Sequence, residues 1–88
     1  MPRVVFTPQL RRFTATPTVD SGAATLRAAL EDAFTVNPRL RGCVLDEQGH
    51  VRPNVVIFID SRRCDDRVAL TEPLTTGCTV HVLQALSG

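Results

Sequence analysis

The sequence contains no lysine: all ten of its basic residues are arginines, set against nine acidic residues. Its only aliphatic amine is its own N-terminus, so an isopeptide link to its own side chains is excluded. The net charge of +1 supplies no broad field to attract nucleic acid or a membrane surface. Nor does any apolar run approach the ~20 residues that a membrane helix requires. The opening "MPRVVFTPQL" lacks the apolar core of a signal peptide and carries Arg3 and two prolines within its first eight residues. A cytoplasmic protein with no nucleic-acid or membrane partner is expected.

Several kinds of chemistry are also missing. Cys43, Cys64 and Cys78 are odd in number and lie 21 and 14 residues apart, so neither a disulfide framework nor a zinc knuckle is suggested. They read as reduced thiols. Gly42, Gly49 and Gly77 are isolated, which leaves no phosphate-cradling loop. His50 and His81 are the only histidines, and no serine or cysteine stands in a recognisable nucleophile motif. Asp65, Asp66 and Glu72 read as a solvated loop rather than a metal site, and Arg62 and Arg63 as solvated turn residues. The expectation is a non-enzyme with no catalytic residue, no metal and no bound cofactor.

What remains is one small domain of 88 residues with an ordinary 43% hydrophobic content. Val4 and Phe6 alternate with Arg3, Val5 and Thr7, a period-two pattern that predicts a strand ended by Pro8. Residues Gln9 to Arg12 read as a loop. The threonine- and valine-rich stretch from Phe13 to Asp20 predicts a second strand, placed at an edge by Pro17. "DSGAAT" offers Ser21 or Thr25 as a helix cap. Leu26, Ala29, Leu30, Ala33 and Phe34 then form one apolar stripe at helical spacing, with Arg27, Glu31 and Asp32 turned to water.

Asn37-Pro38 ends that helix, because proline disfavours helical geometry in the residue before it. "GCVLDEQGHVRP" reads as an irregular hairpin or long loop turning at Gln48-Gly49. "NVVIFID" from Asn54 to Asp60 is the strongest strand, suited to a central position, with Asp60-Ser61-Arg62 turning the chain. Val68, Leu70 and Leu74 lie along a loop that packs down, and Thr76-Gly77 makes a tight turn. In "TVHVLQAL", Val80 and Val82 face the core while His81 and Leu83 point away. The order β-β-α-β-(β)-β predicts an α+β domain, a mixed four- to five-stranded sheet packed on one main helix.

Four stretches carry a family resemblance: "TLRAALEDAF", "RPNVVIFIDSRRC", "LTEPLTTGCTVHVLQALSG" and the tail itself. Together they resemble the β-grasp, ubiquitin-like fold and, within it, the MoaD/ThiS group of sulfur-carrier proteins, over almost the whole chain. The likeness implies a single domain, 1–88, with a flexible tail at about 86–88. In that family an adenylating enzyme related to the ubiquitin-activating enzymes uses ATP to join the carrier's terminal carboxylate to AMP. A sulfur donor then converts it to a thiocarboxylate, which passes sulfur to a biosynthetic enzyme making a molybdenum cofactor, thiazole, cysteine or a secondary metabolite. The resemblance thus implies two partners: the adenylating enzyme and the sulfur-accepting enzyme.

Carried onto this chain, Gly88 is the residue that would be adenylated and thiocarboxylated, with Ser87 in the tail. His81, Leu83, Ala85 and Leu86 would form the partner-binding patch. Each demand has a physical reason. A free α-carboxyl, with a pKa near about 3.5, is ionised and nucleophilic at neutral pH. Glycine has no Cβ, so the end of the chain can thread a narrow channel. A rigid patch must supply affinity, because ordering flexible residues costs entropy.

The family characteristically ends in Gly-Gly, whereas this chain ends in Ser87-Gly88. A glycine missing from this sequence, a longer chain that is trimmed and a loss of carrier chemistry all fit that ending. Two other functions therefore stand beside the carrier: a β-grasp interaction module without tail chemistry, and a ubiquitin-like modifier attached through Gly88 to lysines of other proteins.

Overall fold

The computed structural model describes residues 1–8, 16 and 18–84. Its elements are strand β1 (Arg3–Phe6), strand β2 (Val19–Asp20), helix α1 (Leu26–Val36), helix α2 (Arg39–Val44), and strands β3 (Val55–Ile59), β4 (Arg62–Arg63) and β5 (Thr79–Gln84). The strands form one sheet in the order β2-β1-β5-β3-β4. β1 and β5 run parallel, and the other pairs are antiparallel. This is the α+β β-grasp expected from the sequence, with a mixed five-stranded sheet. The last strand lies in the middle of the sheet, hydrogen-bonded on both sides.

Alternation decides which side chains enter the core. Val4, Val55, Val80 and Val82 are fully buried, joined by Phe6, Ile57 and Ile59 from the same sheet face. Against that face α1 presents its predicted stripe, Leu26, Ala29, Leu30, Ala33 and Phe34. Burying each of the larger aliphatic side chains stabilises the fold by roughly 1.5–3 kcal/mol. Thr25 is the helix cap, its hydroxyl accepting from the Ala28 amide at 3.4 Å. Ser21, the other candidate, has a different role: its buried hydroxyl donates to Asp32 at 2.5 Å and accepts from the Ala23 amide.

Asn37 closes α1 as predicted. The chain then forms α2, where the sequence reading placed only loop or hairpin. Pro38 carries helical backbone angles and lies at the start of that helix, where its missing N–H costs nothing. Leu40 and Val44, one turn apart, fill the gap beside α1. The hairpin part of that reading survives as a single bridge between Leu45 and Val51. β2 is shorter than predicted: Thr16 and Thr18 stand outside it, and only Arg3 and Val4 pair with it. The expected loop at Gln9–Arg12 and most of the predicted strand from Phe13 lie outside the described residues.

Arg27 does not turn to water. Its Nε donates to Ala69 O at 3.0 Å, and its Nη2 donates to Gly49 O at 3.0 Å and Val68 O at 2.8 Å. One side chain thus ties α1 to both the 46–49 turn and the 66–71 loop. That loop also caps the helix, because Leu70 O and Glu72 O accept the Arg27 and Leu26 amides. Leu70 is fully buried with a left-handed φ of 57°, an unfavourable conformation for a leucine. Asp66 holds the loop in place by accepting the amides of Val68, Ala69 and Thr71. Those amides pull the Asp66 carboxyl down to a pKa of about 2.

Candidate functional site

Opposite the helix, the sheet has a second face built from the alternate residues of the same strands. His81 stands at its centre, opposite Val5 of β1 and Phe58 of β3. Leu83 stands opposite Val56, and Phe58 opposite Arg63. Val5, Val56, Phe58 and His81 are half-buried, and Leu83 is 39% exposed. The result is a largely apolar stripe across three strands, with Leu83 its most prominent side chain. Neither helix covers it.

Charge is confined to the ends of the stripe. Arg3 is paired with Asp20, Nε to Oδ1 at 3.1 Å. Arg63 is exposed on β4 with no ion-pair partner among the described residues. Arg62, on the opposite parity, reaches Glu72 at 2.6 Å, so this turn arginine is paired rather than merely solvated. The β3–β4 turn is fixed by Asp60, whose φ is 56° and whose Oδ1 accepts the Thr79 amide at 3.0 Å. Gly77, with φ of 83°, makes the tight turn that leads into β5.

β5 runs along this face to Gln84, opposite Val55 at the end of the sheet. His81 and Leu83, proposed from sequence as partner-binding residues, therefore share one open surface beside the point where β5 ends. Ala85, Leu86, Ser87 and Gly88 lie outside the described residues, as does the expected flexible tail.

Sequence reasoning missed the other members of the stripe. Val5 stands across from Val4 and Phe6 in the period-two pattern of β1, but nothing in that pattern ties it to His81. Val56 and Phe58 lie in the unbroken apolar run of β3, where no polar residue marks an outward face. The signal that could have found them is parity: once Val55, Ile57 and Ile59 are assigned inward, the residues between them must face out.

The remaining chemical groups serve the fold. Cys64 and Cys78 are buried and Cys43 is half-buried, all as free thiols. Burial pushes the Cys64 thiol up, against its natural tendency to ionise. Asp46 accepts the Gln48 and His50 amides, and the bond from His50 leads in drawing its carboxyl below the usual range. Among the described residues no three histidine, cysteine or acidic side chains are grouped to hold a metal ion. No described helix is long and apolar enough to cross a membrane.

No family model matches the chain, and no curated protein matches it in sequence. Solved structures do match it in shape. SAMP1 from Haloferax volcanii superposes with a TM-score of 0.77 at 21% identity, covering 99% of this chain and 97% of that one. A chain of the Amycolatopsis orientalis BexX/CysO complex gives a TM-score of 0.82 at 16% identity, covering 100% and 99%. A second structure of the Haloferax volcanii small archaeal modifier protein 1 gives 0.70 at 19%, covering 97% of each chain. At such identities the likeness is one of fold, and that fold is the ubiquitin-like β-grasp over the full length of the chain.

Proposed function

We propose that this protein is a sulfur carrier, whose C-terminal glycine carboxylate is adenylated by a partner enzyme and converted to a thiocarboxylate for delivery to a biosynthetic enzyme. The observation that carries the reading is the placement of β5. The last described strand is clamped in the middle of the sheet and reaches Gln84 beside an uncovered apolar face. A partner that docks on Val5, Phe58, His81 and Leu83 is brought against the end of β5, from which the chain continues toward Gly88. The rigid body would supply affinity, while the thin end supplies reach.

In this scheme the protein is a substrate and not an enzyme, and ATP belongs to the adenylating partner. Its backbone fold is that of a named small modifier protein and of a chain found in complex with BexX. Both likenesses support a small protein that works by association. The oxygen-to-sulfur exchange rests on the resemblance of the closing segment to the MoaD/ThiS group. A second reading, an interaction module that uses only the sheet face, draws on the same apolar stripe.

Intact-mass measurement separates the two. The protein is incubated with an adenylating enzyme of the ubiquitin-activating type from its own source, ATP and a sulfur donor. The expected result is a mass increase of one oxygen-to-sulfur exchange, located at Gly88. An unchanged mass, for both this chain and one extended by a single glycine, would leave the interaction module. A shift in the extended chain alone would move the reactive end beyond Gly88.

A further inference from the structure

The open face of the sheet carries two polar groups that the fold does not use. Val5, His81, Phe58 and Arg63 form one cross-strand row, each opposite the next. Leu83 and Val56 face one another in the neighbouring row. Among the described residues no hydrogen bond or ion pair engages the side chain of His81 or of Arg63. Other arginines are occupied: Arg3 by Asp20, Arg41 by Glu31, Arg62 by Glu72, and Arg27, Arg52 and Arg67 by backbone carbonyls. Arg39 also lacks a side-chain partner among the described residues, but it stands on α2 and not on the sheet.

The register fixes how Arg63 stands to its neighbours. The Cys64 amide donates to Ile57 O at 2.8 Å, which makes Phe58 and Arg63 a non-hydrogen-bonded pair. That is the closer of the two antiparallel arrangements, with Cα atoms about 4.5 Å apart. The Arg63 stem therefore runs beside Phe58. Its guanidinium does not lie over that ring, since the arginine-on-ring contact among the described residues is Arg41 over Phe34. The charge is held at the border of the apolar stripe with its donors open. Leu83 lies two strands away and one two-residue step along, a backbone separation of about 12 Å.

We propose that this face is built for an acidic partner protein, whose large apolar side chain seats against Leu83, Val56 and Phe58 while its carboxylate pairs with Arg63. The inference rests on the carrier reading above, which makes the adenylating enzyme that partner. An apolar contact alone would let a partner slide or rotate on the stripe. A carboxylate meets a guanidinium through two parallel hydrogen bonds, so it adds orientation as well as affinity. His81, between the two anchors, offers a ring nitrogen for one further hydrogen bond. The rest of the face holds little competing charge: Arg3 is paired with Asp20, and Asp60 is engaged at the β3–β4 turn by the Thr79 amide. One open cation beside an apolar stripe suits a protein surface, whereas a nucleic acid or an anionic membrane would call for several cations together.

The test measures calorimetric binding to the adenylating enzyme of the mass assay, at low and at high salt. The Arg63 side chain makes no bond within the described fold, so Arg63→Gln and Arg63→Glu should melt with the parent. Arg63→Gln should bind about tenfold more weakly at low salt, as expected for loss of a charged hydrogen bond, and Arg63→Glu more weakly again. The parent's affinity should fall as salt is raised, and that of Arg63→Gln much less. His81→Leu should lose affinity but keep the parent's salt dependence.

A second arm needs no carrier chemistry. Random peptides displayed on phage are selected on the parent, and those that fail to bind Leu83→Asp are kept as ligands of this face. They should combine Asp or Glu with Leu or Phe. The same selection on Arg63→Glu should replace the acidic residue by Lys or Arg.

The inference is overturned if Arg63→Glu binds the enzyme as tightly as the parent, or if the selected peptides hold no excess of acidic residues. A parent that sediments as a dimer which Leu83→Asp dissolves would also overturn it, because the face would then belong to a second copy. Its failure and that of the carrier reading are distinguishable. An enzyme that adds sulfur to the parent and to Arg63→Glu alike refutes the acidic contact alone. An enzyme that ignores the parent, while acidic peptides are selected, removes the carrier and leaves the acidic partner supported. Binding by neither overturns both.

Discussion

Val82 and Leu83 are successive residues of β5, yet one is fully buried under α1 and the other is 39% exposed on the opposite face. The same substitution should therefore have two different effects. Val82→Asp places a charge in the core and is expected to remove more than about 4 kcal/mol, most of what a domain this size possesses. Circular dichroism should show an unfolded chain. Leu83→Asp should melt close to the parent but bind the proposed adenylating partner about tenfold more weakly or worse, measured by calorimetry. Unfolding by both variants would contradict the assignment of faces.

Replacing Arg27 by Met keeps the aliphatic stem and removes three carbonyl contacts. Hydrogen bonds from a charged group contribute more than neutral ones, and the expected loss is about 2 kcal/mol in urea denaturation. Amide exchange should quicken in 66–71 and at Gly49 together, because one guanidinium holds both.

Asp66 makes stability depend on acid. Its folded pKa of about 2 lies below the ordinary value, so its contribution is complete above the unfolded pKa near 4 and fades as pH falls toward 2. Asp66→Asn should lower the Tm at pH 7, since its amide group would oppose the Thr71 N–H that Oδ2 now accepts. The difference from the parent should shrink steadily in melts between pH 5 and pH 2. A constant difference across that range would remove Asp66 as the source.

Gly77 has open space around a would-be Cβ, but its φ is 83°. Gly77→Ala should cost about 1 kcal/mol from backbone conformation alone. A neutral result would mean that the turn into β5 relaxes to another geometry.

Much of this architecture can be read in the residues. The α1 stripe from Leu26 to Phe34, the inward valines of β5 and the buried alternation of β3 follow from periodicity, because each element has one face to bury. α2 could not be read that way. Six residues with only Leu40 and Val44 buried carry too little period to register, and Asn37-Pro38 signals a stop as readily as a new start. Arg27 departs from its expected place in water because its partners lie 22 to 42 residues away, and spacing along a helix reveals nothing about a distant loop. β2 is confined to Val19–Asp20 for a different reason: threonine and valine content measures fitness for a pleated surface, not the presence of a neighbour to pair with. At the candidate site His81 and Leu83 are visible as the outward half of the last strand. Their neighbours Val5, Val56 and Phe58 emerge only when the register joins three strands.

The central seat of β5 has a mechanical consequence. Any tension applied past Gln84 enters a strand bonded to β1 on one side and β3 on the other. Those bonds lie across the direction of pull, so they load side by side and must give way as a group rather than unzip one at a time. A machine hauling on this end of the polypeptide grips the most firmly anchored thread in the weave, and the body should resist being dragged into a narrow pore long after a terminus on an edge strand would have peeled away.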